Sequence, residues 1–115
     1  MFFIDCTPLP LEDMYQLNKS IIIEGVLIPE SFKWNGASIP PMLWAILGSP
    51  FSPKLMVPSL VHDYLYIHGK ALGFSRKQVD KLFRKLLLAN GVPEEDAETI
   101  YLGVRVGGKL HFNYA

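Results

Sequence analysis

The chain has 115 residues, half of them hydrophobic, a formal charge of zero from eleven basic and eleven acidic side chains, and one cysteine. That length fits one domain, read as residues 1–115, and the balanced charge removes any global attraction to nucleic acid or anionic lipid, so no specific nucleic-acid binding is expected. Cys6 alone excludes an intramolecular disulfide framework and a four-thiolate zinc site. No apolar run approaches the roughly 20 residues of a transmembrane segment, and Met1-Phe2-Phe3-Ile4-Asp5 lacks the basic region and long apolar stretch of a secretory signal peptide.

From Met14 to Trp34 the apolar residues are often β-branched and are interrupted by Asn18-Lys19-Ser20, Gly25 and Pro29-Glu30-Ser31, which predicts short strands joined by turns. Tyr15 to Asn18 and Ser20 to Leu27 are the expected hairpin, with Gly25 marking a bulge in its second strand. Trp34-Asn35-Gly36-Ala37-Ser38-Ile39-Pro40-Pro41 reads as an ordered loop, because Asn-Gly favours a turn and the residue before proline is biased to extended geometry. Met42 to Leu47 is expected as a short helix stopped by Gly48-Ser49-Pro50. Lys54 to His68 reads as helical, its stable part beginning near Val57 with Pro58 in the first turn and Gly69 as the stop. Ser75-Arg76-Lys77-Gln78 has the spacing of a capping box, and Val79, Leu82, Phe83, Leu86 and Leu87 follow at intervals of three and four. Asn90-Gly91 ends that helix and Pro93 opens another, with Glu94, Glu95 and Asp96 at its positive end and Ala97, Ile100, Tyr101 and Val104 as its buried stripe. Gly107-Gly108 terminates it, leaving Lys109 to Ala115 as a short extended tail. The sum is an α+β fold, a small N-terminal antiparallel sheet packed on three main helices.

The dense polar group inside an otherwise apolar helix is Val61-His62-Asp63-Tyr64-Leu65-Tyr66. His62 and Tyr66 lie one turn apart on one side, and Asp63 points about 100 degrees away from His62. In the next helix Asp80 falls beside Leu87 in projection, at the edge of the apolar stripe, where a carboxylate is partly desolvated. Antiparallel packing through these faces brings Asp80 to the His62 imidazole and fixes its tautomer, leaving the other ring nitrogen to act on water or a metal. His62, Asp80 and Tyr66 are therefore the candidate catalytic set. His62, Asp63 and Asp80 together offer one nitrogen and several oxygens, which suits calcium, magnesium or manganese better than structural zinc, with backbone carbonyls from the loops around Gly36 or Gly48 completing the shell.

Each residue also has a plainer role. A buried histidine is commonly satisfied by a carboxylate without catalysing anything, Tyr66 serves as aromatic core with a bonded hydroxyl, and Asp80 reaches Arg76 or Arg84 across one helical turn. His68, near a helix end, reads as cap or surface, and His111 has no recognisable partner. Ser38 lies outside any Gly-x-Ser-x-Gly elbow, Cys6 outside any nucleophile motif, and no P-loop or dinucleotide fingerprint occurs, so acyl-enzyme and nucleotide chemistry are not expected. Arg76, Lys77, Lys81, Arg84 and Lys85 form a basic outer face, solvated by default. Trp34 and Trp44 flank the Ala-Ser-Ile-Pro loop with core packing as their default, and Trp34, Asn35, Ser38 and Trp44 are the candidates for a partner-binding edge.

The ordered set Pro29-Glu30-Ser31-Phe32, Asn35-Gly36-Ala37-Ser38-Ile39-Pro40, Trp44, Gly48, His62-Asp63-Tyr64-Leu65-Tyr66, Ser75-Arg76, Asp80 and Phe83 resembles the small phage and prophage proteins catalogued as domain of unknown function 1353, over roughly Ile21 to Gly107. The resemblance implies a phage or prophage origin, a place in the bacterial host cytoplasm or the virion, and no established activity. That family commonly carries Asp before Gly-Ala-Ser, where this chain has Asn35. Over the helix pair alone, His62-Asp63 with Tyr66, followed by Asp80, is similar to the phospholipase A2 arrangement, including its disulfide-free version in parvovirus capsid proteins. That similarity implies His62 as general base for water, Asp63 as calcium ligand, Tyr66 and Asp80 as the residues orienting His62, and calcium stabilising the developing oxyanion. The glycine-rich calcium loop of phospholipase A2 is not recognisable in this chain. Two functions of different class follow: a metal-assisted hydrolase acting on an ester in a lipid or cell-envelope substrate, or a noncatalytic phage component, either a virion part or a host-protein-binding module, that meets a phage structural protein or a host protein through the proline-rich loop and Trp34 or Trp44.

Overall fold

Turn residues and proline divide the N-terminal part of the computed structural model, which describes residues 4–48, 52–109 and 112, into two small antiparallel sheets. β1 (Cys6–Leu9) pairs with β2 (Met14–Leu17), and β2 pairs on its other side with β5 (Lys33–Trp34). β3 (Ile21–Ile23) and β4 (Val26–Ile28) make a separate hairpin. The expected pairing of Tyr15 to Asn18 with Ser20 to Leu27 is thereby corrected, and the cause lies at Glu24-Gly25, with φ of 52° and 75°. Two consecutive left-handed residues make the two-residue turn whose twist suits a hairpin, so Ile21–Ile23 folds back at once and Gly25 is a turn residue, not a bulge. β1, which the sequence reading did not anticipate, carries Pro8 and lies at the sheet edge, where a missing N–H breaks no ladder.

The helices follow the sequence reading closely. A 3-10 turn (Pro41–Leu43) runs into α1 (Trp44–Leu47), which Gly48 ends at φ 83°. α2 spans Met56–His68 with Pro58 in its first turn, α3 spans Arg76–Ala89 and α4 spans Glu94–Gly107. At the start of α3, Ser75 Oγ accepts from the Gln78 N–H while the Gln78 side chain accepts from the Ser75 N–H. Pro93 is the N-cap of α4, and Glu94, Glu95 and Asp96 occupy the positive first turn. The result is the α+β arrangement that the alternation of periods implied.

α3 lies between two apolar clusters. Val79 and Leu86 pack with Leu17, Ile28, Trp34 and Leu60 under the sheets, while Phe83 and Leu87 pack with Ile39, Leu55, Ile100 and Val104 against α4. Gly69, just past α2, sits beside Val79 near the start of α3, whereas His62 stacks on Phe83 further along it. The two helices are therefore antiparallel, and their shared face carries His62, Tyr66 and Asp80. Phe112 packs edge-on against Tyr66; His111 and most of the expected tail lie outside the described residues. No helix among the described residues is long and apolar enough to cross a membrane.

Because α3 positions Asp80, its cap contributes to the site. Ser75→Ala removes the acceptor for the Gln78 N–H and lowers the unfolding free energy by about 1 kcal/mol. Urea denaturation checks this as a fall in midpoint at unchanged slope.

Candidate functional site

Asp80 is fully buried, and four donors converge on it. Oδ1 lies 2.9 Å from His62 Nε2 and accepts from the Tyr66 hydroxyl at 2.5 Å. Oδ2 accepts from Arg105 at 2.8 Å and from Arg76, one turn earlier on the same helix, at 3.4 Å. Burial pushes the Asp80 carboxyl upward, but hydrogen bonds from His62, Tyr66 and Arg105 outweigh it and hold the carboxyl below the usual carboxylate range. Burial and then the bond to Asp80 push the Tyr66 phenol well above its ordinary value, which keeps it a donor at neutral pH. Arg76 also donates to the carbonyls of Val104 and Arg105, satisfying acceptors near the end of α4. Arg84, the other cation within reach of Asp80 by sequence, instead pairs with Glu98.

The other end of the His62 ring meets the loop after β5. Ser38 Oγ lies 2.7 Å from His62 Nδ1 and also donates to Asp63 Oδ1. Asp63 further accepts from the N–H groups of Asn35 (3.2 Å), Gly36 (2.7 Å) and Ser38 (3.2 Å). The loop turns to offer these groups because Gly36 takes φ 78° and Asn35 Oδ1 accepts from the Ala37 N–H. An Asp at position 35 would carry an acceptor oxygen for that same bond. Asp63, His62, Ser38 and Asp80 thus form one buried chain of hydrogen bonds, and Ser38, Asp63 and Tyr66 border a cavity of about 170 Å³ also lined by Met14, Lys33, Trp34, Asn35, Ala37 and Ile67.

Of the expected catalytic set, His62, Asp80 and Tyr66 come together through helix packing. Asp63, expected to hold calcium, magnesium or manganese, does not present a cation site. The Gly36 loop approaches it as anticipated, but with N–H groups in place of carbonyls, and hydrogens directed at both carboxylate oxygens repel a cation. Among the described residues no group of three or more His, Cys, Asp or Glu is arranged to hold a metal. Trp34 is not a partner-binding edge: it is 1 % exposed, and its indole N–H donates to Ser59 Oγ inside the core. Trp44 is half-buried against the second cluster. Ser38, assigned to a binding edge, belongs to the site itself. No spacing rule marks it, because it meets His62 across 24 residues through a loop fold.

The ionisation of Asp80 gives the fold a defined acid dependence. With a folded value below the unfolded one, its stabilisation is complete above an unfolded pKa of about 4 and is lost as pH falls through the lower folded value. In thermal melts carried from neutral pH downward, the wild type loses Tm below about pH 4. Asp80→Asn starts lower and loses less, and parallel curves for the two proteins would exclude Asp80 as the source.

Residues 10–104 match the family model described as Protein of unknown function (DUF1353). The chain is also similar to Uncharacterized protein y4jT of Sinorhizobium fredii (strain NBRC 101917 / NGR234), at 31% identity over 114 residues that cover 92% of this chain and 31% of that protein. The chain thus spans about a third of the length of that curated relative. No solved structure matches the chain. With the family model extending over most of its length, the chain belongs to the DUF1353 family of proteins of unknown function.

Proposed function

We propose that this protein is a small hydrolase in which His62 acts as general base on an ester or related acyl bond in a lipid or cell-envelope substrate. The observation that carries the reading is the two-ended bonding of one buried ring. Nε2 is held 2.9 Å from Asp80, and Nδ1 lies 2.7 Å from a hydroxyl on a cavity wall. A ring held by a carboxylate at one nitrogen is fixed in orientation and tautomer, and its other nitrogen is the proton acceptor. Asp80 and Tyr66 are positioning residues: the carboxylate stabilises the imidazolium that forms when Nδ1 takes a proton, and the phenol holds the carboxylate. The cavity supplies apolar walls from Met14, Trp34 and Ile67, and polar groups from Asn35, Ser38 and Asp63. No step is assigned to a cation, since Asp63 is committed to the loop amides.

A second reading rests on the same bonds. Asp63 ties the loop to α2 so completely that the network also serves as a clamp presenting Met42 and Ile46, both exposed, to a phage or host protein. Turnover separates the two. On a panel of p-nitrophenyl esters, His62→Gln lowers kcat/KM by on the order of 10²- to 10⁴-fold, with circular dichroism unchanged, and Asp80→Asn lowers kcat while KM holds. A wild type that hydrolyses none of the esters above background, with variants that only lose stability, leaves the clamp as the role of the network.

A further inference from the structure

Resting on the hydrolase reading, we propose that Ser38 is the nucleophile of this site and that the substrate is an ester with a short acyl group. His62 Nδ1 has one lone pair when the other nitrogen carries the hydrogen of a neutral ring, and Ser38 Oγ lies 2.7 Å from Nδ1 in a buried position, so the hydroxyl occupies the place that an attacking water needs. Ser38 is held there by its own N–H, which donates to Asp63, and by the turn closed by the Ile39 N–H on the Gly36 carbonyl. Asp63 keeps three backbone donors whichever way the hydroxyl hydrogen points. Once the ring is neutral, rotation about the Cβ–Oγ bond turns that hydrogen from Asp63 to His62, and Asp63 keeps its three amide donors. Asp80, on the opposite nitrogen, holds the charge that the ring then acquires.

The chemistry balances with water as the only co-reactant. Nδ1 takes the Ser38 proton as Oγ bonds to the acyl carbon, and the carbonyl electron pair moves to oxygen. When this intermediate collapses, the ester C–O bond breaks and the alcohol leaves with the proton from Nδ1. Water then gives a proton to Nδ1 and its oxygen to the acyl carbon, the carboxylic acid departs, and Ser38 recovers its hydrogen from His62. The size of the acyl group follows from the cavity. About 170 Å³ of space beside Ser38 is close to the roughly 150 Å³ apolar cavity that accepts benzene, which accommodates an acyl group of a few carbons.

A fluorophosphonate probe tests the assignment on the wild-type chain, because attack by Ser38 forms an Oγ–P bond with loss of fluoride. Intact mass and peptide mapping are expected to place one adduct per chain on Ser38, absent from His62→Gln. Ser38→Ala, with its melt recorded alongside, is expected to lose acetyl and butyryl p-nitrophenyl ester hydrolysis by on the order of 10³-fold or more, and wild-type activity is expected to fall as the acyl chain is lengthened. An adduct on another residue, or none while hydrolysis still depends on His62 and survives in Ser38→Ala, overturns Ser38 as nucleophile and leaves His62 acting on water. No adduct together with no His62-dependent hydrolysis overturns this inference and the hydrolase reading together.

Discussion

A carboxylate with no access to water governs this structure. Removing an ion the size of the Asp80 side chain from solvent costs several kcal/mol unless donors replace the lost hydration, and here His62 and Tyr66 come from α2, Arg76 from α3 itself and Arg105 from α4. Satisfying one residue therefore sets how three helices meet. The antiparallel register of α2 on α3 places residues 62 and 66 opposite 80, and the end of α4 is drawn to the start of α3, where Arg76 answers two of its carbonyls. Gly108 follows from the same constraint, since a Cβ there would stand 2.7 Å from the Tyr66 hydroxyl and 2.6 Å from the Val104 carbonyl oxygen.

A second carboxylate organises the other half of the molecule. Asp63 is adjacent to His62 in the chain but faces the loop after β5, and its bonds to Asn35, Gly36 and Ser38 fasten the sheet side of the fold to α2. The Trp34 indole on Ser59 reinforces the same junction from inside the core. One imidazole thus lies between two carboxylate-centred networks, one joining helices and one joining helix to loop, with Ser38 as the link between the ring and the second network.

What the sequence made legible is what helical periodicity controls. The capping box at Ser75, Pro58 in the first turn of α2 and the shared face of His62 and Tyr66 are local, and antiparallel packing then leads directly to Asp80. The strands were less legible because pairing depends on turn handedness: Glu24-Gly25 closes a tight hairpin on Ile21–Ile23, which leaves Met14–Leu17 to pair with β1 and β5. The site was legible on its helix side only. Whether the Gly36 loop turns its carbonyls or its N–H groups toward Asp63 decides between a cation ligand and an anchored carboxylate, and that choice rests on backbone dihedrals with no counterpart in residue spacing. Ser38 was assigned to a binding edge for the same reason, and Arg105 was missed because its approach to Asp80 depends on how α4 crosses α3.

The hydrogen inventory around Ser38 explains why so tightly bonded a group still suits proton transfer. Oγ carries one hydrogen and has two neighbours able to accept it, the Asp63 carboxylate and the neutral ring. With the hydrogen on the carboxylate side, Nδ1 must supply one of its own for its contact with Oγ to be a hydrogen bond, so the ring is doubly protonated and its charge faces Asp80. With the hydrogen on the ring side, the imidazole is neutral, Nε2–H donates to Asp80, and Asp63 rests on its three amides. The orientation of one hydroxyl and the proton count of one imidazole are therefore coupled, and neither state leaves a buried polar atom of this set unpaired. A purely structural clamp requires Asp63 to hold the loop but has no need of a hydroxyl shared between two acceptors, and on the hydrolase reading it is that sharing, at a cavity wall, that sets the direction of proton transfer.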